Sequence, residues 1–498
     1  MKRIFAHLLA VGLAFSASGA AAAADFRASG QWLFGFVWGD VYSQIREEKG
    51  DPFQAVQRLR TQIECIASEA LKGVAFFEIG KSNWGDAADG ASLGTDAANI
   101  KVRYSYVDWT PFSGGAPPHP KLRLGLQPFN LPAFVNGSPI LSDDGAGIVA
   151  SCDITPRTGA TLFWMRPSND NRAPGARGGK RLPHDAADLF ALALPIRGEG
   201  FRASPYVMYG SVGINSLGYA ARAEDGFSFT GYKSALRHMA NGLTPAGGSR
   251  LLAQPDVADA LSGEASVWWA GIGGETTLFS PFRLGAEFAF GHADFGTAVW
   301  NDRSFAMKRA GWYTALIAEC KLEKMTPSLL FWYASGDDGN PYNGSERMPT
   351  AKTSNRDWKV LGLAYDGVPF CPAKGAQILS PDGSMTGTWG IVAALKDIRF
   401  TDALKHLFRV GYVRGVNNSA MVKNTSLYAD DRPGGYLTRN DHALEADFET
   451  SCKLSDNLTL ILDTACLRVD WDNAAWKYVN ANLERDYYRA GLTVWCSF

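Results

Sequence analysis

Across 498 residues, 49 Lys and Arg face 50 Asp and Glu, and a net charge of −1 excludes the polybasic surface that nucleic-acid binding requires. The unusual features are 53 Gly and 12% aromatic residues, 15 of them Trp, which suit tight turns, strand bends and interfacial girdles.

In chain order, the N-terminus reads first as an address. Lys2 and Arg3 precede an apolar run from Ile4 to Phe15 and a small-residue tail from Ser16 to Ala24, the parts of an export signal with cleavage expected after Ala24. A membrane anchor needs about 18 to 25 apolar residues, and this run is shorter. Residues 25–498 are expected to form one domain. No later apolar run approaches the roughly 20 residues of a spanning helix, so the mature chain is either soluble and secreted or a barrel.

Beyond Ala24 the residues alternate with period two. Leu59, Thr61, Ile63 and Cys65 share one face against Arg60, Gln62 and Glu64; Val102, Tyr104 and Tyr106 oppose Lys101, Arg103 and Ser105. Leu122, Leu124 and Leu126 oppose Lys121, Arg123 and Gly125. Leu284, Ala286, Phe288 and Phe290 oppose Arg283, Gly285 and Glu287, and Leu444, Ala446, Phe448 and Cys452 oppose Glu445, Asp447, Glu449 and Ser451. The alternation predicts strands at 28–38, 55–67, 71–80, 99–110, 120–127, 146–153, 159–166, 187–195, 200–210, 264–274, 281–291, 310–321, 325–334, 387–399, 404–415, 441–453, 456–469 and 486–498. A short helix is expected near Lys233 to Asn241, and WKVLGLAY at 358–365 reads as either a further strand or a loop.

A soluble sandwich also alternates, but three features point to a membrane. The segments have the length of a tilted membrane-crossing strand. Short connections, at Glu69 to Leu71, Arg197 to Gly200, Glu323 to Met325 and Ser455 to Asn457, alternate with long ones, at Lys81 to Ala98, Ser168 to Ala186, Val212 to Gly263, Gly336 to Asn355 and Asn417 to Asn440. The chain also ends in an alternating strand closed by Phe498, which resembles the signal read by the outer-membrane assembly machinery. The expected fold is an all-β transmembrane antiparallel barrel of 16–18 strands, with 18 favoured. A barrel of that size keeps an aqueous lumen.

In such a lumen the informative charges lie on the polar faces of the strands. Arg58, Arg60, Lys101, Arg103, Lys121 and Arg123 are expected on one side of the wall. The segment 127–145 between the fifth and sixth strands carries Asp143 and Asp144; folded inward, it would set an acidic loop against that wall, and left outside, these are solvated charges.

Catalytic signals are weak. His119, His184, His238, His292, His406 and His442 are scattered, with no HExxH, nucleophile elbow or Walker loop. The glycines of GIGGETT are expected to end a strand, and Asp337 and Asp338 in SGDDGNPYNGSE form a turn more readily than a calcium loop. Trp32, Trp109, Trp164, Trp268, Trp332 and Trp495 are expected to be interfacial anchors. Seven cysteines form no CxxC or zinc spacing. Cys65, Cys152, Cys320, Cys452, Cys466 and Cys496 fall on apolar faces as small hydrophobes, and Cys371 falls in a loop. Neither metal nor cofactor is implied.

Several ordered strings carry a resemblance: GQWLFGF at 30–36, ASEALKGVAFFEIG at 67–80, RLGLQPFNLPAF at 123–134 with SPILSDDGAGI after it, WMRPSNDN at 164–171, DLFALALPI at 188–196, PYVMYG at 205–210 and FWYASGDD at 331–338. Together they resemble the outer membrane homotrimeric porins of sulfate-reducing bacteria. That resemblance implies a homotrimer of barrels in outer-membrane lipid, each passing small hydrophilic solutes and ions, and carries over no catalytic residue. The expected function is passive diffusion through an outer-membrane pore. The alternatives are a substrate-selective channel, marked by a lumenal aromatic stripe or a saturable site, a hydrolase with Ser and His together on the outward rim, and a structural outer-membrane protein without conductance.

Overall fold

The alternating segments become the staves of one closed sheet. The structure is a computed structural model and describes residues 24–39, 52–95, 100–111, 120–169, 184, 186–214, 216, 233–245, 263–352, 358–365, 367, 378–379, 385–424, 435–476 and 483–498. The predicted export signal, apart from Ala24, and the loop cysteine Cys371 lie outside the described residues, as does His119.

The strand segments are β1 (Asp25–Gly39), β2 (Phe53–Ser68), β3 (Leu71–Asn83), β4 (Ile100–Trp109), β5 (Lys121–Asn130), β6 (Ser142–Asp153), β7 (Gly159–Asn169), β8 (Ala186–Ala193), β9 (Ile196–Gly198) and β10 (Phe201–Gly213). After α1 (Lys233–Leu243) come β11 (Glu264–Thr276), β12 (Phe282–Trp300), β13 (Arg303–Cys320), β14 (Thr326–Ala334), β15 (Thr388–Thr401) and β16 (Leu404–Gly415). Beyond them lie α2 (Ser419–Asn424), β17 (His442–Ser455), β18 (Leu458–Asp470), α3 (Asn473–Trp476) and β19 (Asp486–Ser497). Neighbours in the ring run antiparallel. β8 and β9 lie end to end along β10 and make one stave, so the ring has 18. β1 pairs with both β2 and β19, from Gln31↔Ser497 to Gly39↔Arg489 on the β19 side, which closes the ring and leaves the sheet no open edge.

The expected short helix is α1. The segment at 358–365 is no stave: it belongs to the connection between β14 and β15. Two staves outrun expectation. β12 and β13 continue past residues 291 and 310 to a two-residue turn at Asn301 and Asp302, both at positive φ (50° and 57°), the backbone of a tight hairpin. Polar His292, Asp294 and Lys308 hide the alternation there, and the ladder slips between Asp294 and Thr297.

Register decides which face points out. Phe288, Leu329, Leu444, Phe448, Leu462 and Tyr488 are exposed and lie on one face of the sheet, a continuous apolar surface with no water-soluble purpose. All six described cysteines lie on that face or at its rim, unpaired with one another. The opposite face carries Arg60, Glu78, Arg123, Glu287, Arg409 and Asp463, and buried apolar residues from the long connections pack against it. The core therefore sits inside the ring.

Four aromatic residues take faces other than those expected, Tyr104, Tyr106, Trp332 and Trp495. Phe76 pairs with Tyr104, but Phe77 pairs with Val102, so Arg103 is an extra residue on β4. The bulge flips parity beyond it: Val102 stays outside at 51% exposure, whereas Tyr104 and Tyr106 turn inward and Ser105 and Val107 outward. Trp332 is no interfacial anchor. It is fully buried on the inner face, donating through Nε1 to Thr388 Oγ1 (3.1 Å) and packing edge-on against Trp358 and Tyr365. Its cross-strand partner must be glycine, because a Cβ on Gly390 would lie 2.2 Å from the indole. Trp495 pairs with Leu33 and so also takes the inner parity.

Candidate functional site: the inner wall and its inward loops

The inner wall is built from ion pairs that bridge neighbouring staves. On β2 to β6, Arg60 Nη2 lies 2.7 Å from Glu78 Oε2, Arg103 lies 3.7 Å from the same carboxylate, and Arg123 Nε lies 2.6 Å from Asp108 Oδ1. Arg123 also stacks over the Tyr106 ring at 4.1 Å. On the far wall, Glu275 takes Arg202 and Arg283, Arg283 reaches Glu319 (2.8 Å), and Lys396 reaches the other oxygen of Glu319 (2.8 Å). A ladder of alternating charge thus runs over β10, β11, β12 and β13 and reaches across β14 to Lys396 on β15.

Of the residues singled out from sequence, Arg60, Arg103 and Asp144 come together: Arg103 donates through Nε to Asp144 Oδ2 (3.1 Å) and again through Nη2. Arg123 joins Asp108. Arg58 is buried at 8% exposure opposite Leu33 in register. Lys101 and Lys121 are exposed and form no ion pair among the described residues. Asp143 lies 3.5 Å from Lys352 Nζ.

The expected acidic loop is shorter than 127–145. β5 runs through Asn130 and β6 begins at Ser142, so the connection is 131–141 and both aspartates belong to β6. Pairing with Arg103 and Lys352 neutralises them at the wall, so they do not oppose it across a gap. The connection itself does enter the ring. Its tip donates the amides of Phe134 and Val135 to Glu287 Oε1 on β12, and Arg283 Nη2 donates to Phe134 O (2.6 Å). Its stem joins the β14–β15 connection by backbone bonds, Ala351 N to Ile140 O (3.0 Å) and Ser142 N to Lys352 O (2.9 Å).

Sequence reading missed the second inward segment, 358–365. Gly362 donates to Asp447 (3.0 Å), and Leu363 and Ala364 donate to the two oxygens of Glu445 (2.6 and 2.9 Å). Arg409 Nη2 donates to Gly367 O (2.9 Å). Only the apolar content of WKVLGLAY between two polar stretches hinted that it would be covered. Val135 and Asn136 of the first segment and Lys359 and Val360 of the second line one cavity of about 380 Å³, walled by Leu330, Val392, Arg409 and Glu449. A third fixture, the buried Arg309 on β13, donates to the carbonyls of Asn241, Thr244, Arg347 and Met348, tying α1 and the β14–β15 connection to the wall.

The turn reading of SGDDGNPYNGSE stands: Asp337 is filled by Ser345 Oγ (2.5 Å), Glu346 N (3.1 Å) and Tyr436 OH (2.8 Å). Burial, with help from Asp337 and Asp338, raises the Glu346 carboxyl above its ordinary value despite an amide bond from Asp338. Among the described residues no group of three His, Cys, Asp or Glu is placed to hold a metal ion. His184 and Ser211 both lie within reach of Glu264 on the outward rim. However, Glu264 stands between them, 3.4 Å from the imidazole Nδ1 and 3.5 Å from the hydroxyl, whereas a triad needs the histidine in the middle.

No family model and no curated protein matches the chain. Solved structures similar to it include Acinetobacter baumannii OccAB2 (10% identity, TM-score 0.49, covering 95% of this chain and 98% of that one). Pseudomonas aeruginosa OccK2 (OpdF), solved in complex with glucuronate, is 11% identical with a TM-score of 0.49 over 95% of this chain and 98% of that one. Pseudomonas aeruginosa OprD is 10% identical with a TM-score of 0.47 over 96% of this chain and 97% of that one.

Proposed function

We propose that the chain is a bacterial outer-membrane porin, a channel through which ions and small hydrophilic solutes diffuse without turnover or cofactor. The observation that carries this reading is the division of one closed ring into an apolar outside and an inside laid with ion pairs. Grease on the outer face satisfies lipid, while charges on the inner face are stable only where water or a partner charge meets them. Export through residues 1–24 and assembly as a homotrimer, as in the porins of sulfate-reducing bacteria that the sequence resembles, belong to the same reading. So does recognition of Phe498 by the assembly machinery, which is supported by its place on the rim, 4.9 Å from Trp32 and backbone-bonded to Gly30.

Planar-bilayer reconstitution tests the channel. Stepwise conductance is expected, and a correctly folded but silent barrel overturns the reading in favour of a structural protein. Arg103→Ala and Asp144→Ala should shift the reversal potential in opposite directions, the first toward cations and the second toward anions, because each leaves its former partner's charge behind. No shift in either places this pair off the ion path.

One observation favours substrate selectivity within that class. The bulge at Arg103 turns Tyr104 and Tyr106 inward, where Tyr104 stacks on Phe76 at 5.0 Å and lies 6.5 Å from Tyr106, a lumenal aromatic strip beside Arg103 and Arg123. Saturating, concentration-dependent block of ion current by a solute would identify a selective channel; strictly linear flux would identify a general one.

A further inference from the structure

Resting on the channel reading, we propose that Glu287 on β12 and Glu445 with Asp447 on β17 set the bore of the channel, acting as positioning residues that clamp the two inward segments from separate parts of the wall.

Both clamps have one construction. An inward segment presents backbone amides that strand pairing does not satisfy, and a wall carboxylate accepts consecutive ones: Phe134 and Val135 at Glu287, and Gly362, Leu363 and Ala364 at Asp447 and Glu445. A wall arginine on the same or the adjoining stave then grips a carbonyl of the segment or of a residue bonded to it, Arg283 on Phe134 O and Arg409 on the carbonyl of Gly367, whose amide donates to Leu361 O. Carbonyl and amides are thus fixed together, which sets the orientation of each segment as well as its position.

The barrel does not need these carboxylates to close. Backbone groups of β12 and β17 are already paired to both neighbours along their lengths. Glu287 is 7% exposed and Glu445 1%, and sequestering carboxylates from water is unfavourable unless strong donors replace it. Placing such groups on the wall of a wet lumen makes sense where the segments they hold matter. The held segments meet, since Val135 and Asn136 face Lys359 and Val360 across the same cavity of about 380 Å³. Releasing either one alters the dimensions of that space.

The test compares alanine with amide variants by single-channel conductance and by exclusion of graded polyethylene glycols. Glu287→Ala, and Glu445→Ala with Asp447→Ala, should roughly double the conductance and admit larger polymers, while Glu287→Gln, whose carbonyl still accepts the amides, should stay near wild type. Val135→Pro removes one donor from the loop side, leaves the wall intact, and should widen the bore as Glu287→Ala does. Hydrogen exchange provides a readout independent of conduction: freeing Glu287 should raise exchange at 131–141, and freeing Glu445 and Asp447 should raise it at 358–367. Folded alanine and proline variants that keep the wild-type conductance, exclusion limit and exchange overturn bore-setting and leave the channel standing. A silent wild type overturns both.

Discussion

The wall and the segments folded within it are specified in opposite ways. In the wall, most strands pair with the next strand in sequence, and one rule, apolar outward and polar inward, repeats from β1 to β19. Inside, the deciding contacts join distant residues: Phe134 reaches Glu287 across 153 positions, and Gly362 reaches Asp447 across 85. Repetition makes the wall redundant, so one altered residue is diluted among many equivalent ladder bonds. The interior rests on a few side chains and has no such reserve. Substitutions should therefore act on the whole barrel in the first region only where they violate lipid or bury a lone charge, and in the second should act locally.

The sharpest test lies where an interior-style contact is built into the wall itself. Arg489 on β19 donates through Nε to Asp463 Oδ2 on β18 at 2.7 Å, and the two residues are 2% and 3% exposed. Gly491 leaves room for the carboxylate, since a Cβ there would lie 2.5 Å from Asp463 Oδ1. Asp463→Ala keeps the ladder but removes the carboxylate that accepts from this buried guanidinium, and should destabilise the barrel by about 3–5 kcal/mol, read as a fall in the urea midpoint. A midpoint unchanged within error would mean that the wall absorbs even a buried charge.

Next in size is the contrast between faces. Phe448 is exposed on the outer face of β17, stacked at 5.9 Å on His406. Phe448→Arg, in the middle of β17, should lower stability in lipid by about 2–4 kcal/mol. Lys101→Glu, on the inner face, should change stability by no more than about 0.5 kcal/mol while moving the reversal potential toward cations. Equal effects of the two substitutions on stability would erase the distinction between outside and inside on which the channel reading depends.

The same contrast explains what the sequence could disclose. Strand number, the long and short connections and the outward faces of LRLGL, LGAEFAF and LEADF were legible because period two is a local signal with a direct physical cause. Tyr104 and Tyr106 were misplaced because a single extra residue, Arg103, inverts every face after it and leaves no mark in composition. Trp332 was misread because a tryptophan near a strand end suits either a membrane interface or a covered interior, and only Thr388, Trp358 and Tyr365 decide between them. The inner charges were found by parity, yet the partners of Arg103 and Asp143, on β6 and in a connection 209 positions away at Lys352, depend on how the loops fold. Glu287 and Glu445 looked like any other lumenal acids.

The smallest expected effect lies in the β14–β15 connection. Glu346 is held above its ordinary value of 4.5, chiefly by burial and then by Asp337 and Asp338, so the folded loop binds a proton more tightly than the unfolded one. Stability from this group is therefore full below the unfolded value and declines as the pH rises through the folded one, because the unfolded state gives up its proton first. Glu346→Gln removes the titration while its carbonyl can still accept the Asp338 amide, a bond of 2.9 Å in the native loop. Amide exchange across 337–346, corrected for its intrinsic pH dependence, should lose protection with rising pH in the native protein and lose less in the variant. Parallel profiles would show that this turn, though its Asp337 is fully buried, is as indifferent to one charge as the wall beside it.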